Sequence, residues 1–170
     1  NYSAEWVEEA KRRGLPNLRN TPEALAELVR PETKEFLSRM RIFGESESDA
    51  RYTVRLERYI KDIDIEVEAL KNLVSGHVLP AAYRQLALLA QAGTGRAIKS
   101  GLERMDASVE ALTTRVVDLQ AAAERAAGEH EHEARARVLA DEVVPAMASV
   151  REVCDRVEES VADEFWTLPK

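Results

Sequence analysis

The sequence predicts an all-α protein: a long antiparallel three-helix bundle with proline kinks, preceded by short packing helices. Three observations carry that prediction. Ala, Glu, Arg, Leu and Val dominate a chain of 170 residues with only 5% aromatics, a composition that favours helix on intrinsic propensity. Along three long stretches the apolar residues recur in alternating steps of four and three, the pattern of a helix with one buried seam. Turn residues then fall between those stretches, at Gly93-Thr94-Gly95 and at Gly128, where a helix has to stop.

Residues 1–45 read as short helices. The first spans residues 2–13, with Tyr2, Trp6 and Ala10 on one stripe and Gly14 as its left-handed cap. Two large rings this close to a chain end are unexpected, since termini fray unless something ties them down. The next helix starts with Thr21 as N-cap, Pro22 in the first turn and Glu23 near the positive dipole end, and runs to about Val29. Pro31-Glu32-Thr33 opens a third, with Phe36, Leu37, Met40 and Phe43 on its apolar face and Gly44 at its end.

Residues 46–165 form the bundle, and residues 166–170 a C-terminal tail. The first arm, residues 46–92, carries the seam Leu56, Ile60, Ile63, Val67, Leu70 and Val74. Pro80 interrupts it, and the stripe is expected to resume at Leu79, Tyr83, Leu86 and Ala90, a step of five across the break. A proline removes one helical hydrogen bond and bends the axis, so a one-residue change of phase would re-aim the apolar face. The second arm is the most regular: Ile98, Leu102, Met105, Val109, Leu112, Val116, Leu119, Ala123 and Ala126. In the third, Ala136, Leu139, Val143, Ala146, Val150, Val153 and Val157 keep the alternation around Pro145, and VVPAM there echoes VLPAA at 78–82. The first arm is the longest, and the short helices of residues 2–43 are the available cover for its Tyr52, Leu56 and Tyr59.

Composition also limits function. A net charge of −7 argues against general nucleic-acid binding, which needs a basic surface to neutralise phosphates. No apolar run approaches the roughly 20 residues that span a bilayer, so no membrane partner is expected. The single Cys154 cannot form an internal disulfide, which points to a reducing, cytoplasmic setting.

Candidate chemistry is sparse. Glu129-His130-Glu131-His132-Glu133 invites a metal reading, but histidines two apart on a helix point about 200° from each other, so a solvated helix start is the expectation. His77 beside Pro80 is expected to pack or cap. Cys154, between Val150 and Val157 on the apolar face, reads as core. Glu8-Glu9 and the Asp62, Asp64, Glu66, Glu68 cluster could imitate a carboxylate metal site, but Arg58 and Lys61 stand close enough to the second cluster for ordinary ion pairs, and a solvated face is the expectation. Gly93-Thr94-Gly95-Arg96 lacks the spacing and lysine of a phosphate loop and reads as a tight turn. No residue is singled out as catalytic, cofactor-binding or metal-binding.

Several stretches, in order, resemble the region that follows the catalytic domain in type III glutamine synthetases. NYSAEWVEEAKRRGLPNLRNTPEAL resembles that family's aromatic-Ser-x-Glu-Trp start and its acidic-Ala-x-x-Arg-Gly-Leu-x-Asn-Leu run. IFGESESDARYTVRLERYIKDIDIEVEAL is similar to its stretch with Arg-Tyr, Glu-x-Tyr and Ile-Glu-x-x-x-Leu, and VLPAAYRQLALLA to its Ile-Leu-Pro-Ala segment. DEVVPAMASVREVCDRVEESVADEFWTLPK resembles its closing Trp-x-x-Pro segment, while residues 94–135 are the least specific. The resemblance implies an excised C-terminal piece in which Tyr2 and Trp6 belong to a junction helix behind an upstream catalytic domain of the same chain. It implies a homo-oligomeric parent that makes glutamine from glutamate and ammonia with ATP and Mg, the ligand residues all lying upstream, and a fragment inactive alone that serves assembly or regulation. The alternative is a free-standing helical bundle used for protein–protein interaction; a metal-sensing bundle acting through residues 129–133 is a third.

Overall fold

The computed structural model describes residues 3–169, apart from the side chain of Ala4, and all its regular structure is helical. Tyr2, expected on the first apolar stripe, lies outside the described residues. The chain divides into two units, Asn1–Tyr59 and Ile60–Lys170.

In the first unit, α1 spans Ala4–Arg12, with the Ser3 hydroxyl accepting the Trp6 N–H at 3.3 Å as its N-cap. It closes on Gly14 at φ +70°, with Leu15 N–H bonded to Ala10 O (2.9 Å) and Gly14 N–H to Lys11 O (3.1 Å). That pair of bonds is a Schellman motif, and glycine occupies its left-handed position at no steric cost. Helix α2 (Thr21–Ala26) is capped by Asn20, not by Thr21. Asn20 Oδ1 takes the Glu23 N–H at 2.9 Å. The Ala24 amide that a Thr21 cap would need is already bonded to the Asn20 carbonyl, so Thr21 sits inside the first turn. A 3₁₀ turn, Glu27–Val29, follows.

Helix α3 (Pro31–Arg39) ends earlier than the sequence suggests. A second Schellman motif closes it, with Arg41 N–H on Ser38 O and Ile42 N–H on Leu37 O, both 2.9 Å. Here the left-handed position is held by Arg41, at φ +54°. Phe43 therefore lies off the helix, where the Arg51 guanidinium stacks 4.2 Å from its ring centre. Helix α4 (Glu45–Leu73) then begins, the Glu47 carboxylate accepting the Gly44 N–H at 2.9 Å in one half of a capping box. Lys34 pairs with Asp49.

In the second unit, α4 continues through buried Ile60, Ile63 and Val67. A π turn, Val74–Val78, leads into α5 (Leu79–Gln91); α6 spans Arg96–Gly128 and α7 His132–Val138. A second π turn, Leu139–Val143, leads into α8 (Val144–Ser160). Both π turns stand at the same spacing from a proline, and Leu79 and Val144 donate their N–H groups to Val74 O and Leu139 O, five residues back. The cause is the proline one position later, which has no N–H to give and whose ring collides with the carbonyl four residues back. Widening the turn by one residue relieves that collision while keeping the helix continuous.

The extra residue also corrects the expected register. Val78, Ala81 and Ala82 are buried, Leu79 is partly covered and Tyr83 is 53% exposed, so the seam resumes on Val78 and not on Leu79 and Tyr83. In α6, Met105, Leu112, Leu119 and Ala126 are buried at every seventh residue, as a left-handed seam requires, and Ala122 is buried beside them. Helix α6 packs against α5 and α8, closing a core with Val143, Val150, Val153 and Val157. Arg125 joins Glu142 of the second π turn at 2.7 Å, and Arg135 of α7 joins Asp64 of α4 at 2.8 Å.

Candidate functional site

The most enclosed concave feature among those described in the second unit is a cavity of about 170 Å³. Leu70, Leu73, Val74 and Val78 form one wall, Arg151, Cys154, Asp155 and Glu158 of α8 another, and the returning tail brings Trp166, Leu168 and Pro169 over it. The tail is held where it turns back. Ala162 N–H donates to Gln85 Oε1 at 3.1 Å, a 3₁₀ turn covers Asp163–Phe165, and Thr167 Oγ1 lies 2.7 Å from His77 Nδ1. His77 thus pins the tail to the first π turn, which suits the packing or capping role its sequence context suggested. The Trp166 Nε1–H is buried without a partner, a cost of roughly 1–3 kcal/mol if left dry.

The cavity is poor in chemistry. Cys154 is buried, and burial first, with Asp155 adding to it, pushes its thiol pKa up while Arg151 opposes. A thiol held protonated is a weak nucleophile. Sequence reasoning placed Cys154 in the core and Trp166 in a tail; it missed that the tail folds back against Cys154. The available signal was the Trp-x-x-Pro spacing, since proline ends local pairing and the ring seeks cover.

The other candidate residues do not converge. His130 lies in the turn between α6 and α7, while His132 opens α7, so the pair does not even share a helix. Glu133 pairs with Arg137, and Glu9 with Arg12 and Arg13. Asp64 pairs with Arg135 and Glu68 with Lys71, ordinary ion pairs in place of a carboxylate metal site. Gly95 caps α6 through its backbone alone, and Gly93 takes φ +116° in the turn. Among the described residues, no group of three or more His, Cys, Asp or Glu is placed to hold a metal ion, and no helix is long and apolar enough to cross a membrane.

Beyond the cavity, the prominent surface feature is apolar exposure in the first unit: Trp6, Val7, Leu15, Leu18, Phe36, Met40, Ile42 and Val54 all face outward. Residues 1–96 match the family described as the glutamine synthetase C-terminal domain. The chain belongs to that family.

Individual relatives extend the similarity through α8. A glutamine synthetase of Bacteroides fragilis (strain YCH46) and a type-3 glutamine synthetase of Dictyostelium discoideum are each 31% identical over 99% of the chain. A glutamine synthetase of Butyrivibrio fibrisolvens is 38% identical over 43% of it. The chain spans 25% of the length of the first two relatives and 10% of the third.

Proposed function

We propose that this glutamine synthetase C-terminal domain is the non-catalytic helical domain of a type III enzyme, and that its full-length parent joins glutamate and ammonia at the expense of ATP, with Mg. The observation that carries the proposal is the similarity along 99% of the chain to one quarter of two glutamine synthetases, one of them type 3. Paired acids, a buried thiol and capped turns are what an accessory domain contains; the nucleotide, metal and glutamate ligands belong to the upstream catalytic domain. The helices serve assembly or regulation of a homo-oligomer. A lone buried cysteine suits a reducing compartment such as the cytoplasm.

The test is to express the complete reading frame that contains this segment, beside the same frame ending before Asn1 and beside the 170-residue chain alone. The complete product is expected to form glutamine from glutamate, ammonia and ATP. The 170-residue chain is expected to form none, and the shortened product to lose particle mass in light scattering beyond the mass removed, or to lose its control. A complete product without ATP-dependent glutamine formation contradicts the proposal.

A further inference from the structure

Apolar side chains are distributed unequally between the two units. Among the described residues, every buried aliphatic core side chain except Leu25 and Leu56 belongs to residues 60–170. The first unit instead exposes Trp6 at 39%, Phe36 at 49% and Met40 at 56%. Scattered exposed apolar residues are ordinary. A unit that buries so few and exposes so many has surface left to cover.

Local geometry fixes these residues outward. The Ser3 cap and the Gly14 Schellman motif define both ends of α1, so Trp6 and Val7 are held on a formed helix. Beyond α3, the left-handed Arg41 redirects the chain between Met40 and Ile42. In such a motif the residue at the Ile42 position commonly packs back on the last turn, yet Ile42 is 53% exposed. A left-handed arginine is a strained choice where glycine would serve, and here it leaves apolar residues on both sides of the bend presented outward.

Charge separates the units as well. Residues 1–59 hold eleven Lys and Arg against eleven Asp and Glu, so the whole net charge of −7 sits on residues 60–170. A body docking on residues 1–59 therefore meets no net charge, whereas one docking on residues 60–170 meets the acidic surplus. The relatives supply the occupant: the chain spans a quarter of their length, and its family is the C-terminal domain of a larger enzyme.

We infer that the outward apolar residues of the first unit, Trp6 and Val7 on α1 and Phe36, Met40 and Ile42 around the end of α3, dock against the upstream catalytic domain of the same polypeptide, while the acidic bundle of residues 60–170 remains solvated. The inference rests on the ligase reading above and adds which surface makes the junction. The contact is intramolecular, so the effective concentration of the upstream domain supports it without a large interface.

The experiment uses the complete polypeptide, carrying either the pair Phe36→Asp and Met40→Asp or the control pair Ile65→Asp and Val117→Asp. The control residues are more exposed still, but on the second unit. Limited thermolysin digestion is followed by mass spectrometry for cuts within residues 3–44. Cleavage there is expected to rise about tenfold or more in the first pair, as local opening is released, and to stay unchanged in the control. Circular dichroism of the 170-residue chain with the same substitutions is expected to be unchanged, which excludes simple unfolding. Equal cleavage in both pairs overturns the inference. Absence of glutamine formation in the unsubstituted polypeptide overturns the ligase reading instead, so the two failures are distinguishable.

Discussion

Leu112 and Phe36 both lie on helices with an apolar stripe, yet Leu112 is fully buried and Phe36 is half exposed. The difference lies in the surroundings and not in propensity. Leu112 sits midway along the 33 residues of α6, where a seam repeated every seventh residue meets α5 and α8. Phe36 sits on a helix of nine residues closed by a Schellman motif. Short helices gain little stability by themselves, so burial in the second unit is supplied by its own long neighbours, whereas the apolar surface of the first is left for another body.

The largest effect that tests this contrast comes from truncation. In the 170-residue chain, Leu112→Ala or Leu119→Ala should lower unfolding stability by about 3 kcal/mol through lost burial and a cavity. Phe36→Ala should cost less than about 0.5 kcal/mol. Urea titration followed at 222 nm reads both, and comparable losses would break the contrast.

Next in size is the register of the first π turn. Val78→Ala should cost about 1.5 kcal/mol, for two buried carbons at roughly 0.8 kcal/mol each, while Tyr83→Ala should cost less than about 0.5 kcal/mol. The reverse order in the same titration would restore the register that the sequence alone suggested.

Arg41→Gly should stabilise α3 by about 1 kcal/mol, because glycine relieves the left-handed strain. The gain should appear as slower amide exchange in residues 31–42 and leave α6 unaffected. A uniform change across the chain would mean that the two units open together.

The smallest effect concerns pH. Burial raises the Cys154 thiol pKa in the folded state, so the folded protein holds that proton at pH values where the unfolded chain, near about 8.5, has released it. The protonated thiol's contribution is therefore complete below about pH 8.5 and is lost as pH rises through the folded value. Stability should fall more steeply above that pH in the natural chain than in Cys154→Ala, and equal slopes would contradict the burial.

Much of the second unit was legible in the sequence because a long seam averages over local detail. Met105, Leu112, Leu119 and Ala126 are spaced by the same physics that buries them. Val78 was not legible: the proline announced a change of phase, but a π turn and a simple kink place that change one residue apart. Asn20 and Thr21 are both good capping residues, and only the bond from Glu23 N–H to Asn20 Oδ1 decides between them. The fold-back of the tail rests on Ala162 meeting Gln85 and Thr167 meeting His77 across 77 and 90 residues of chain; the Trp-x-x-Pro spacing signals that the ring is covered but not by which residues.

The central claim, that one unit is self-sufficient and the other is not, is tested most directly by native-state amide hydrogen exchange on the 170-residue chain. Amides of residues 105–126 and 146–157 should exchange only through global unfolding, with residues 4–39 opening far more readily. Protection of residues 4–39 equal to that of α6 would contradict the account, since the first unit would then hold its own core.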